Sequence, residues 1–504
     1  MSADGRGQSG DVADRLRGAV ERHQAGHPSD ALPVYQEFLG IQPENADVLN
    51  LAGVACAQLG DAEQAIHYLS RAVSCAPGFP DANRNLALAL RDTGRFEEAV
   101  AAHQRLIDAQ PDSFEAYNDL GITWRRLGKL GKAADAYRRA LTLAPDFVDA
   151  MVNLGNVLQD QDRIEEACKR YEEAIALNPS LPSVHRSLGN ALQRLGRIEE
   201  AVESYRRAVS LDQNYARAHA DLGSALVEQG MHEEGVTALR RAAALSPDAS
   251  NIHSNLGMAL HHLGDPASSL AAYDESLRLE PGNSHALAYK SIALLALGMI
   301  DEYRSLVDYD KLLYAEDVVP PPGYASLDEF NRVLGEFAAT HPTLMGKDDR
   351  RPGITGELLA EPEGPMRDLD ALVRKAAAEY IGRLPGSDPH PFIARRPGAI
   401  RMIGWATVLD GGADAHIHPH AWLSGVYYVK TVSACEAGEG EENDGFIEFG
   451  RPDPKFDLTE SPEFRVVRPR EGLMLLFPSF FWHRVRDFRS KEKRISYAFD
   501  IFPA

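Results

Sequence analysis

The sequence predicts an α+β, multidomain chain in which an all-α solenoid of paired helices precedes a β-rich domain with supporting helices. Two observations predict it: a 34-residue period runs through the amino-terminal part, and near residue 305 that period gives way to short alternating strands. With 44% hydrophobic and 25% charged residues, the 504-residue chain has the composition of folded domains rather than of a disordered one. Its 74 acidic residues exceed its 53 basic ones, for a net charge of -21, so neither nucleic acid nor an anionic membrane is expected as a partner. Four cysteines without a CxxC pair exclude a disulfide framework or a cysteine-rich metal site. No apolar run of signal or membrane-spanning length is present, and a cytoplasmic location is the expectation.

Residues 11–304 are assigned to the solenoid. Pro43, Pro77, Pro111, Pro145, Pro179, Pro247 and Pro281 share the 34-residue register, with Gln213 in the one remaining slot. A second register puts Gly26, Gly60, Gly94, Gly128, Gly196, Gly230, Gly264 and Gly298 at the turn inside each unit, with Asp162 replacing one glycine. Small residues at Ala31, Ala65, Ala99, Ala133, Ala167, Ala201, Gly235 and Ser269 let neighbouring helices approach closely. A lone amphipathic pair cannot bury its apolar face, whereas stacked pairs can. These features resemble tetratricopeptide repeats: eight complete units and a ninth first helix, with a partner available in MIDEYRSLV.

A further register holds Asn85, Asp119, Asn153, Ser187, Asp221 and Asn255. These side chains are either a solvated polar row or a ladder that bonds the backbone of an extended peptide. The resemblance to peptide-binding repeat arrays favours a protein or peptide partner in the groove.

Residues 305–394 read as an extended entry and supporting helices, the clearest in MRDLDALVRKAAAEYIGRL. From 395 to 504 the strands GAIRMIGWATVL, WLSGVYYVK, GFIEFG, EFRVV, GLMLLFP and KRISYAFDIF follow one another, an order that suits an antiparallel jelly roll, or double-stranded β-helix. In the last strand Arg494, Ser496, Ala498 and Asp500 share one face, suited to a barrel mouth, and Ile495, Tyr497, Phe499 and Ile501 the other. The acidic segment EAGEGEEND, residues 436–444, reads as a solvated turn or as a lid over the open end of the roll.

The chemistry concentrates in HIHPHAWLSGVYYV. His416 and His418 share one side of an extended strand, Pro419 interrupts it, and His420 competes as a ligand or supports one. His483 follows the FPS turn far along the chain, and Arg494 opens the next strand, so a hairpin would bring imidazole and guanidinium into one pocket. Such a pair can hold a metal-bound dicarboxylate at both ends.

The succession HxHPxxWLSGVYY, FPSxxWH and RIS resembles the iron(II) and 2-oxoglutarate dependent oxygenase superfamily. That resemblance implies a dioxygenase that uses Fe(II), 2-oxoglutarate and molecular oxygen to hydroxylate its substrate. It implies His416 and His483 as metal ligands, with His418 where the family has a carboxylate, so that His418, His420 or water fills that place. Arg494 would bind the remote carboxylate of 2-oxoglutarate, Ser496 would add a hydrogen bond, and Tyr427 or Tyr428 would orient the cosubstrate, alternation admitting one of the two. The arginine favours iron over zinc. Phe477, Phe481 and Trp482 read as core or rim, and Arg484, Arg486, Arg489, Lys491 and Lys493 as a basic rim that is either solvated or attracts an acidic substrate. The joined expectation is a hydroxylase acting on a protein or peptide side chain presented by the repeats. Two alternatives stand beside it: a small-molecule hydroxylase, and a non-catalytic repeat adaptor with a structural or sensory metal site.

Overall fold

The structure, a computed structural model, describes residues 4–344, 353–359, 361–409, 411–432, 445–452, 456, 458, 463–488 and 492–504. The chain divides into two compact units, Met1–Asp221 and Leu222–Ala504.

In the first unit six helix pairs follow in register, from Asp4–Gln24 with Pro28–Ile41 to Pro182–Arg194 with Ile198–Leu211. Each pair turns on the residue that the sequence marks. Gly94 takes φ 78°, and the next amide, Arg95 N–H, reaches back to the Leu90 carbonyl at 2.8 Å, closing the helix end. Asp162 occupies the same left-handed conformation at φ 61°, the sole described non-glycine residue to do so. Helix contact within a pair is set by glycines of the first helix. A Cβ on Gly121, Gly155 or Gly189 would lie 2.5–2.6 Å from the ring of Tyr137, Tyr171 or Tyr205, each fully buried. Ala65, Ala99, Ala133, Ala167 and Ala201 are likewise fully buried.

The second unit contains the last helices of the repeat series, among them Ser250–His262, Pro266–Leu279 and Ser284–Ala296. The ninth pair is completed by the seven-residue helix Ile300–Leu306 within the MIDEYRSLV segment. Among the described residues ten strands follow: β1 (Tyr314–Asp317), β2 (Gly353–Ile354), β3 (Ile400–Leu409), β4 (Ala413–His416), β5 (Leu423–Lys430), β6 (Ile447–Phe449), β7 (Arg465–Val467), β8 (Leu473–Pro478), β9 (His483–Val485) and β10 (Arg494–Pro503). They form a six-stranded antiparallel sheet in the order β1-β8-β5-β10-β3-β2 and a four-stranded one in the order β4-β9-β6-β7.

This corrects the expected double-stranded β-helix, or jelly roll. Among the described residues neither sheet closes: β1 and β2 are edges of one, β4 and β7 of the other. The chain passes from β4 to β5 through Pro419 and from β8 to β9 just beyond Pro478, and at each of these corners it leaves one sheet for the other. The four-stranded sheet is built from strands of three or four residues, too short to wrap. The dioxygenase expectation loses the support it drew from a closed roll, and most of the described secondary structure is helical repeat.

The helices Leu327–Thr340 and Pro365–Arg383 cover the large sheet. Tyr497 OH donates to the Leu334 carbonyl at 2.9 Å and Tyr427 OH to Asn331 Oδ1 at 2.6 Å, so the odd-numbered face of β10 lies beneath a helix and the even-numbered face is left for the site. Ser284 Oγ donates to the Ala421 carbonyl at 2.9 Å and Trp482 Nε1 to the Ala288 carbonyl at 3.3 Å, fastening both corners to the ninth first helix. Among the described residues no helix is long and apolar enough to cross a membrane.

Candidate metal centre

His416 ends β4 directly opposite His483, the first residue of β9, and His418 follows in the turn before Pro419. The ring centroids of His416 and His483 are 4.3 Å apart, those of His418 and His483 5.2 Å, and those of His416 and His418 5.3 Å. One nitrogen from each of the three lies within 4.8 Å of the others, and among the described residues no other group of His, Cys, Asp or Glu is so arranged.

The hydrogen bonds fix the tautomers. His416 Nδ1 is 2.8 Å from the Asp414 carbonyl, His483 Nδ1 is 3.0 Å from the Phe481 carbonyl, and His418 Nδ1 lies 2.8 and 3.0 Å from the two carboxylate oxygens of Asp500. A carbonyl or carboxylate oxygen accepts, so each Nδ1 carries the proton and donates. Each Nε2 is left without a hydrogen-bond partner among the described residues, the arrangement of a metal-binding imidazole held by an outer oxygen. Burial holds His483 well below the ordinary histidine range, and His416 and His418 beside it press in the same direction. His416 keeps a solvent-exposed edge, yet the protein packed around its ring also lowers it. Neutral imidazoles are what a metal requires. The cluster holds no carboxylate; the nearest to it by hydrogen bond, Asp500, stands behind His418 and accepts from Ser424 Oγ at 2.6 Å.

The three histidines line a cavity of 340 Å³ together with Arg494, Ser496 and Tyr428. Arg494 is 2% exposed; its Nη1 donates to the Gly445 carbonyl at 2.7 Å, and its guanidinium lies 4.8 Å from the Tyr428 ring centroid. Its Nε is buried with no hydrogen-bond partner among the described residues. Ser496 Oγ is 2.8 Å from Thr407 Oγ1. Alternation along β5 sends Tyr428 to the cavity and Tyr427 to the helix behind it. The rest of the wall is largely apolar, with Val426, Ile447 and Phe477 among its members.

Of the other singled-out residues that the structure describes, Phe477 and Ala498 line this cavity and the rest lie outside its lining. His420 is exposed and lines a different cavity with His285. Phe477 packs on the His483 ring at 4.8 Å, while Phe481 meets Tyr309 and Trp482 meets Tyr289. Arg484 and Arg486 both donate to Glu448, at 3.0 and 2.7 Å, and Lys493 is exposed. The acidic segment 436–444, Arg489 and Lys491 lie outside the described residues. The polar register of the repeats is half-buried and bonds between neighbouring pairs. Asn85 Nδ2 donates to Asn50 Oδ1 at 2.9 Å, Asn153 Nδ2 to Asn118 Oδ1 at 3.0 Å, and Arg186 Nε to Asp221 at 2.6 Å. Asn255 Nδ2 donates to Ser224 Oγ at 3.3 Å, the Ser187 carbonyl accepts from Gln159, and burial raises the Asp119 carboxyl.

The sequence puts Asp500 on the face of β10 that carries Arg494 and Ser496 but gives it no role at the site, and it misses Glu448 altogether. Glu448, fully buried beneath Arg484, Arg486 and Arg451, carries no local sign of that pairing.

Three clustered imidazoles, each with its Nδ1 engaged by an oxygen, suit a divalent transition metal, and a buried guanidinium with an unpaired N–H suits a carboxylate. Comparison with known proteins points the same way. Residues 404–500 match the family described as "Putative 2OG-Fe(II) oxygenase". Residues 17–80, 84–146 and 220–284 match a tetratricopeptide repeat family, and 160–196 and 194–230 a second one. No curated protein matches the chain. Among solved structures it is similar to YrrB, described as a TPR protein with an unusual peptide-binding site (22% identity over 38% of this chain and 98% of that one, TM-score 0.34). It is also similar to pilF of Pseudomonas aeruginosa (20% identity, 42% and 96%, TM-score 0.38) and MamA of Desulfovibrio magneticus RS-1 (21% identity, 34% and 96%, TM-score 0.32). Likeness at this level says nothing of function. The chain is a tetratricopeptide-repeat region followed by a region that matches the family of 2OG-Fe(II) oxygenases.

Proposed function

We propose that the carboxy-terminal unit is a metal-dependent oxygenase in which His416, His418 and His483 hold one Fe(II) through their Nε2 atoms and Arg494 binds the far carboxylate of 2-oxoglutarate. The observation that carries this reading is the single 340 Å³ cavity onto which the three imidazoles and the buried guanidinium all face. Iron bound there would, with dioxygen and the 2-oxo acid, supply the oxidation that turns a substrate C–H into an alcohol, with succinate and carbon dioxide as coproducts.

The protein's own groups perform the binding and alignment. The Nδ1 bonds to Asp414, Asp500 and Phe481 orient the three rings and leave Nε2 as the atom of each that is available to a metal. Arg494, taken out of water and stacked on Tyr428, offers a planar fork of donors to a carboxylate, and Ser496 adds a hydroxyl on the same strand face. Val426, Ile447 and Phe477 keep water from the space between. The repeats are the natural place for a protein or peptide substrate.

A second reading, a metal-binding adaptor without turnover, is favoured by the all-imidazole cluster: it lacks the carboxylate of the family pattern, and one donor of Arg494 is already engaged by Gly445. Anaerobic titration of 2-oxoglutarate into the iron-loaded full chain separates the two. A saturable metal-to-cosubstrate charge-transfer band, lost in Arg494→Ala, supports the oxygenase. No band, with iron occupancy verified, leaves the adaptor.

A further inference from the structure

The polar register of the repeats reaches Tyr289 in the ninth pair, 34 residues after Asn255. There it is covered. The Tyr289 ring packs edge-on to Trp482 at 5.5 Å and to Phe456 at 5.6 Å, beneath the corner that leads into β9. Asn255 is thus the last member of the register before the sheets close over the helices. Beside it opens a cavity of 540 Å³, distinct from the metal cavity, lined by Asn251, Ser254, Asn255, Arg395, His420 and Trp422.

The walls of this cavity have hydrogen-bonding capacity to spare. Asn255 makes one long bond, at 3.3 Å, which leaves its carbonyl and its second N–H. The Arg395 stem rests on Gly282, where a Cβ would come within 2.5 Å of Cδ, so the glycine makes room for it. Its guanidinium lies 3.8 Å from Glu280, near enough to feel the charge but too far for a hydrogen bond, and it makes none among the described residues. One wall is the turn Pro419–Ala421, which directly follows His418 and is tied to the ninth helix by Ser284.

We infer that this cavity docks an extended polypeptide segment bearing an acidic side chain. Asn255 and Asn251 can pair with both the N–H and the C=O groups that an extended main chain presents in alternation, and Arg395 offers paired donors to a carboxylate. Glu280 is the internal acid that the incoming carboxylate displaces. The inference rests on the polypeptide-substrate part of the proposed function, and it sets that segment against the turn next to a metal-holding histidine.

The test uses the cobalt-loaded full chain and two fluorescein-labelled peptide pools of about eight residues. One pool has a central Asp or Glu, the other Asn or Gln, each among mixed neutral neighbours, and binding is read by anisotropy. The acidic pool should bind saturably, and Arg395→Ala and Asn255→Ala should each weaken it about tenfold or more with cobalt uptake unchanged. His483→Ala should abolish cobalt uptake and leave peptide binding in place, so a failure of the metal reading and a failure of docking are told apart. Docking is overturned by no binding of either pool, or by binding that both cavity substitutions leave intact; equal binding of the two pools overturns the requirement for an acid.

Discussion

His418 and Asp500 form a hydrogen-bonded imidazole–carboxylate pair, with Nδ1 2.8 and 3.0 Å from the two carboxylate oxygens and Ser424 donating to the same carboxylate. The pair places a negative charge one bond away from the position where the family pattern puts a carboxylate ligand. A carboxylate in that place orients the ring and raises its basicity, which an amide can do only in part. Asp500→Asn should therefore lower metal affinity by roughly 10- to 100-fold while the sheets stay folded. Cobalt titration followed by its visible bands, beside circular dichroism, gives both readouts; unchanged affinity would mean that Asp500 only fills space.

Arg494 supplies the second prediction. Lysine keeps the charge but loses the planar fork and the stacking on Tyr428. Arg494→Lys should weaken 2-oxoglutarate binding at least about tenfold, the equivalent of about 1.4 kcal/mol, without altering cobalt uptake. Isothermal titration with the cosubstrate measures it, and wild-type affinity in the variant would remove Arg494 from the role.

These residues also show how far the sequence reaches. Strand alternation in KRISYAFDIF correctly put Arg494 and Ser496 on one face and Tyr497 on the other, because a period of two survives whatever the sheet does. The 34-residue register likewise located every turn, since the left-handed residue in each has a local cause. Closure of the strands was not legible. It depends on which strands pair across long separations, which a local pattern of residues does not carry. The polar register had its spacing right, but inter-repeat bonds such as Asn153 to Asn118 join residues 35 apart and engage side chains that looked free.

The contact between repeat helices gives a stability prediction. At Gly189 a Cβ would sit 2.5 Å from the Tyr205 ring, which is itself fully buried, so Gly189→Ala should cost about 1–3 kcal/mol by overpacking. Gly40, in the helix Pro28–Ile41, has nothing within 4 Å of its Cβ position, and Gly40→Ala should gain roughly 0.5 kcal/mol from the more restricted unfolded chain. Urea denaturation of the two variants side by side should move their midpoints in opposite directions.

The last prediction concerns pH. Glu448 is fully buried on β6, and burial alone would raise its carboxyl; hydrogen bonds from Arg486 and Arg484, the charge of Arg484 and a bond from Arg451 outweigh this and leave it lowered. A carboxyl whose folded value lies below its unfolded one, near 4.3, binds its proton more weakly when folded. The stabilisation is thus present above that unfolded value and is lost as pH falls through the folded one. The arginines remain 23–42% exposed, so solvent screens part of the attraction. Glu448→Gln should cost about 1–3 kcal/mol at pH 7, below the penalty for breaking a fully buried pair. The difference from the wild type should shrink as pH is lowered below about 4. Thermal melts of both proteins from pH 7 downward test the sign: a gap that stays constant into acid would show that Glu448 holds the β6–β9 pairing by shape and not by charge.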